Sequence, residues 1–141
     1  MEKMTLKRTK KESEKCVLIV DDTPVCQESL KLQLQALLPY KIIVASNGEE
    51  GLEYLQKNRA NVVLILSDIT MPGITGLEFL SIVQKDPLLK KIPVILQSSL
   101  DEEESARELG ASDYLRKPYT NKALKVAIDK IKKDYDGFGE C

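Results

Sequence analysis

The chain of 141 residues contains no histidine. That absence removes imidazole catalysis, most zinc sites and any role as a phosphohistidine carrier. Cysteine is scarce and odd in number: Cys16, Cys26 and Cys141 follow no metal or disulfide spacing. They read as reduced thiols, with Cys16 and Cys26 buried near a first strand. No apolar run approaches the roughly 20 residues of a membrane span, and the N-terminus carries charge without the apolar stretch of a secretory signal. Neither sign of charge is in excess, with 21 basic against 22 acidic residues and a net charge of −1. Nucleic acid and membrane therefore drop out as general electrostatic partners, and a cytoplasmic protein is expected.

What is present is one domain's worth of chain, enough to bury a core without staples. Residues 1–15 hold six basic against three acidic side chains and no apolar period. That surplus of +3 leaves −4 for the rest, and the segment reads as a disordered leader. The domain is expected over 16–135, with a frayed tail over 136–141.

The stretch around which the domain is organised is 62–76, VVLILSDITMPGITG. Its five unbroken apolar residues suit a strand buried on both faces of a parallel sheet, ending at Ser67 and Asp68 before a turn through Met71, Pro72 and Gly73. Other strands are expected at 16–20 (CVLIV), 41–45 (KIIVA), 93–97 (PVILQ) and 112–116 (SDYLR). Between them lie helical segments. Thr23 caps the first, with Pro24 at its first position and Leu30, Leu34, Leu37 and Leu38 inward. A capping box at Asn47 and Glu50 opens the second, with Leu52 and Leu55 inward, and one at Thr75 and Glu78 opens the third, burying Leu77, Leu80 and Val83. The fourth, 101–109, has only Ala106 and Leu109 as core candidates, and Gly110 ends it. The last begins near Asn121 and buries Leu124, Ala127, Ile128 and Ile131. Five alternations of strand and helix with short connections imply an α/β fold, a doubly wound five-stranded parallel sheet with helices on both faces.

Chemistry-bearing residues fall at the carboxyl ends of four strands: Asp21 and Asp22, then Asp68, then Ser98, then Lys117. Right-handed crossovers point all strand ends one way, so these side chains converge at one rim. Three crowded carboxylates repel unless a cation joins them, and hard oxygen ligands suit Mg²⁺, or Mn²⁺ in its place. A hydroxyl and an ammonium nearby supply donors for a dianionic group. Aimed at one carboxylate, the set makes sense if that carboxylate becomes an acyl phosphate.

On VLIVDD (17–22), SDITMPGITG (67–76), PVILQSS (93–99) and GASDYLRKPY (110–119), the chain resembles the receiver domain of two-component response regulators. The resemblance implies a flavodoxin-like sheet of strand order 2-1-3-4-5, the order of a chemotaxis receiver. It implies Asp68 as phosphoacceptor, Asp22 as a direct Mg²⁺ ligand, Asp21 acting through a metal-bound water, and the Thr70 backbone carbonyl as a further ligand. Lys117 should pair with phosphoryl oxygens, with a cis bond to Pro118. Ser98 stands where threonine is commoner, and Tyr114 where the family places a rotameric switch. Phosphorylation would draw Ser98 toward Asp68 and let Tyr114 turn inward. Gln97 departs from the family's usual apolar strand end, and Thr70 and Ser99 occupy positions that tune phosphate lifetime.

The function so implied is a stand-alone phosphorelay switch. It would be phosphorylated by a histidine kinase or histidine phosphotransfer protein and would act on a downstream protein target by contact, without an output domain. Asp101, Glu102, Glu103 and Glu104 near Lys122 and Lys125 suggest a phosphorylation-dependent homodimer. Two alternatives stand beside it. One is an aspartate-nucleophile phosphatase of the haloacid-dehalogenase kind, against which Ile69 and Thr70 follow Asp68 without a second acid. The other is a receiver-like module that is never phosphorylated.

Overall fold

Short apolar runs bounded by turn formers bury both faces only between two helical layers. The computed structural model, which describes residues 15–134, has that arrangement. The leader expected over 1–15, save Lys15, and the tail expected over 136–141 lie outside the described residues. In chain order the elements are β1 (Cys16–Val20), α1 (Pro24–Leu37), β2 (Lys41–Ala45), α2 (Gly48–Asn58) and β3 (Val62–Asp68). There follow α3 (Gly76–Lys85), β4 (Val94–Ser98), α4 (Glu103–Glu108), β5 (Asp113–Arg116) and α5 (Asn121–Asp134). The strands are parallel throughout, in the order β2-β1-β3-β4-β5. This is the flavodoxin-like doubly wound sheet.

Alternation along the strands divides the core into two layers. Val17, Ile19, Leu64, Leu66, Ile95 and Leu115 face Leu30 and Leu34 of α1 and Leu124, Ala127, Ile128 and Ile131 of α5. Leu18, Val20, Ile65, Val94, Leu96 and Tyr114 face Leu55 of α2, Phe79, Leu80 and Val83 of α3, and Ala106 of α4. Strand ends therefore inherit a side: a residue two beyond Leu66 belongs with α1 and α5, and one two beyond Leu96 with the opposite layer. No helix among the described residues is long and apolar enough to cross a membrane.

Several local expectations shift. Thr23 occupies the cap of α1, but its side chain makes no capping bond. Its own amide donates to Asp21 Oδ1 at 2.9 Å. The Thr75–Glu78 box is reciprocal, whereas Glu50 accepts from the Ser46 amide rather than from Asn47. α4 is shorter than expected, and Leu109, placed in the core by its spacing, is 37% exposed. Six residues give too little helix to carry a second apolar position inward. Cys26 is half-buried rather than buried. Phe79, which the sequence reading passed over, is fully buried.

Two glycines are required by position. Gly76 opens α3 hard against the backbone leaving β3, and a Cβ there would run into the Asp68 carbonyl. Its amide donates to the Ile69 carbonyl at 2.8 Å, closing the loop after Asp68. Gly110 stops α4 at φ +102°, a left-handed conformation that side chains resist.

Candidate functional site

Asp21, Ser67, Asp68, Gln97 and Ser98 are the buried polar residues among those described. All five lie at or just past the carboxyl ends of β1, β3 and β4. Burial of a polar group costs free energy unless hydrogen bonds replace water, so each needs an account. Ser67 Oγ donates to the Asp68 carbonyl at 3.0 Å. Asp68 Oδ2 accepts from Lys117 Nζ at 3.2 Å, across 49 residues of sequence. Lys117 reaches it from a turn that begins with a cis Lys117–Pro118 bond. Its amide is tied to the Ser98 carbonyl at 2.8 Å.

Asp21 is the exception. Its Oδ1 accepts from Thr23, but its Oδ2, fully buried, has no hydrogen-bond partner. Lys117 Nζ stands 3.9 Å away, too far for a hydrogen bond. Burial pushes the Asp21 carboxyl above its ordinary range. The Thr23 amide and Lys117 oppose that shift, while Asp68 and Asp22 add to it. Exposed Asp22 completes the group: one carboxylate oxygen from each of Asp21, Asp22 and Asp68 lies within 4.8 Å of the others.

These residues fit a small divalent cation. The donors are all hard oxygens, and an orphaned buried carboxylate oxygen is the observation a bound ion would resolve. Thr70 lies two residues past Asp68 and is exposed. One lysine shared by two carboxylates leaves the cluster net negative, the charge that attracts Mg²⁺ and would repel a phosphoryl group if no cation were bound.

On the other side of the sheet, Ser98 and Tyr114 meet in the segment that leads into α4. Ser98 Oγ accepts from the Leu100 amide at 3.0 Å and donates to Glu102 Oε2 at 3.0 Å. The Tyr114 hydroxyl donates to the Leu100 carbonyl and accepts from the Glu102 amide at 3.1 Å. Tyr114 is thus already inward and buried, while the Ser98 hydroxyl is bonded to Glu102. Main-chain groups of residues 100 and 102 satisfy the phenol.

Two partners were not legible in the sequence. The sequence places Glu102 on an acidic face, and nothing in its spacing marks it as the acceptor for Ser98. Tyr119, from the β5–α5 turn, donates to Gln97 Oε1 and gives that buried amide its partner. Burial, together with the charges of Asp21 and Asp68, raises the Tyr119 phenol well above its ordinary pKa and keeps it a donor. Gln97 and Tyr119 also line a groove with Val25, Cys26, Leu30 and Pro118. The charged face expected to support a dimer is partly consumed within the chain. Glu102 turns to Ser98, Glu103 pairs with Arg107 at 2.8 Å, and Lys125 pairs with Asp129 at 2.8 Å.

A family model described as response regulator receiver domain matches residues 17–129. Protein PilH of Pseudomonas aeruginosa is 32% identical over 118 residues, covering 82% of this chain and 95% of that protein. The 3',5'-cyclic-nucleotide phosphodiesterase regA of Dictyostelium discoideum is 32% identical over 119 residues. That match covers 82% of this chain but 15% of the phosphodiesterase, so the chain spans only a small part of some relatives. Among solved structures, the response regulator TrrA of Thermotoga maritima, in complex with Mg²⁺ and BeF, is 34% identical. It aligns with a TM-score of 0.72 over 83% of this chain and 98% of that one.

Proposed function

The chain belongs to the response regulator receiver domain family, and we propose that it is a phosphorylation-dependent switch of a two-component phosphorelay, with Asp68 as phosphoacceptor. One observation carries the reading. Asp68 is bonded to Lys117 at 3.2 Å inside a carboxylate cluster whose buried Asp21 Oδ2 lacks a hydrogen-bond partner. A structural salt bridge would not need the extra carboxylates, and a purely structural fold would not leave one orphaned.

In the proposed reaction an Asp68 carboxylate oxygen attacks the phosphorus of a phosphohistidine on a histidine kinase or histidine phosphotransfer protein. The new P–O bond forms as the P–N bond breaks, and the electron pair stays on the imidazole nitrogen. Asp22, Asp68 and the Thr70 carbonyl, with Asp21 acting through a bound water, would hold Mg²⁺, which would supply positive charge to the phosphoryl oxygens. Lys117 supplies more without moving far, because it already bonds Asp68. Ser98 then donates its hydroxyl proton to a phosphoryl oxygen, and the segment through residues 99–102 follows it. That movement, read by Tyr114, changes the surface offered to a downstream protein target. The chain works in the cytoplasm by protein contact, and its only chemistry is its own phosphorylation and hydrolysis.

The test is intact mass after incubation with acetyl phosphate and Mg²⁺. One added phosphoryl group that requires metal and is absent from Asp68→Asn supports the reading. An adduct that persists in Asp68→Asn would overturn the assignment.

A further inference from the structure

The serine that the proposed switch requires is already occupied. A hydroxyl has one proton to donate, and Ser98 gives its proton to Glu102 Oε2 at 3.0 Å. Its oxygen is held at the same time by the Leu100 amide at 3.0 Å. Glu102 adds an anionic acceptor, and hydrogen bonds to ionised acceptors are about twice as strong as neutral ones. Tyr114 is indifferent to that carboxylate, because it binds only the main chain of residues 100 and 102. Glu102 therefore controls the serine without controlling the tyrosine.

We infer that Glu102 is a positioning residue that holds the Ser98 hydroxyl away from Asp68, so that its carboxylate and the phosphoryl group compete for one proton. The inference rests on Asp68 being the phosphoacceptor. It assigns to Glu102 a share of the resting bias of the switch: the stronger its hold on Ser98, the less the phosphorylated arrangement is populated before a phosphoryl group arrives. Glutamine is the informative replacement. It keeps the length and an acceptor oxygen, and so preserves the local fold, but removes the charge that makes the hold strong.

The experiment is a titration with beryllofluoride at fixed Mg²⁺, followed by calorimetry, of four proteins: the unsubstituted chain, Glu102→Gln, Ser98→Ala, and the two substitutions together. With the serine present, Glu102→Gln should tighten beryllofluoride binding by about fivefold. With alanine at 98 the same replacement should change nothing, because no proton is left to compete for. Equal tightening in both backgrounds would mean that Glu102 acts only as a nearby negative charge and would overturn the inference, as would no tightening in either. If none of the four proteins takes up beryllofluoride, the phosphoacceptor reading falls and this inference with it. Binding without coupling between the two positions overturns the inference alone.

Discussion

Two groups of side chains share one rim of the sheet and solve opposite problems. Asp21, Asp68 and Lys117 follow Ile19, Leu66 and Leu115 by two residues and so inherit the side covered by α1 and α5. They are charged, and they are left incomplete: Asp21 Oδ2 has no hydrogen-bond partner and one ammonium serves two carboxylates. Ser98 and Tyr114 belong to the opposite layer, where both of their hydroxyl protons already have an acceptor. The first group stores a demand for positive charge. The second stores a hydrogen-bond arrangement that must be exchanged for another. Backbone bonds join them, since the Lys117 amide donates to the Ser98 carbonyl and the Ile69 amide to the Gln97 carbonyl. Chemistry on one side can thus be felt on the other without a shared side chain.

The comparison breaks most easily at Lys117. Lys117→Ala should slow labelling by acetyl phosphate about 100-fold, the scale on which loss of one preorganised charge slows a transfer. It should leave the Tyr114 bonds intact, as a backbone-amide spectrum would report. A fall of less than threefold would mean that the pocket does not depend on its cation, and the division drawn here would fail.

Asp21→Asn tests the stored demand in both directions. Mg²⁺ affinity should fall about tenfold, as loss of a carboxylate oxygen from a hard-cation site implies. The metal-free fold should gain about 1 kcal/mol, because a buried carboxylate with one oxygen lacking a hydrogen bond is replaced by a neutral group. The sign with pH follows from the direction of the shift. A carboxyl raised by burial stabilises the fold most while protonated, and that contribution is lost as pH rises through its folded pKa. The gain from asparagine should therefore appear in urea unfolding at pH 8 and shrink at pH 4. A gain of the same size at both would show that burial of charge is not its source.

The smallest effect is expected at Tyr114. Tyr114→Phe strips the Leu100 carbonyl and the Glu102 amide of a partner, at a cost of about 1 kcal/mol in metal-free stability. Phosphoryl labelling should change by less than about twofold, since no pocket group touches the phenol. A large loss of labelling would tie the two regions more closely than their main-chain links suggest.

How far the sequence carries can be judged from the same residues. The strands at 16–20, 41–45 and 62–66 are legible because continuous apolar runs leave little choice of partner, and Thr75 with Glu78 marks the start of α3 unaided. Asp68 is legible because a carboxylate ending such a run sits where parallel sheets leave a crevice. The fourth helix is less so. With Ala106 its only buried residue, its length depends on what the loop before it does. Gln97 and Tyr119 lie 22 residues apart, and no local pattern announces their bond.

By itself the sequence determined the strand–helix alternation, the rim on which the acids and the lysine gather, and the absence of any imidazole chemistry. These follow from periodicity and residue type, which are local properties. Only the tertiary structure decided that Asp21 would carry an unpartnered oxygen, that Tyr114 would be inward, and that Glu102 would hold Ser98. Each of these depends on which of several chemically suitable groups arrives within about 3 Å. That choice is made by packing between elements distant in the chain, and no spacing in the sequence encodes it.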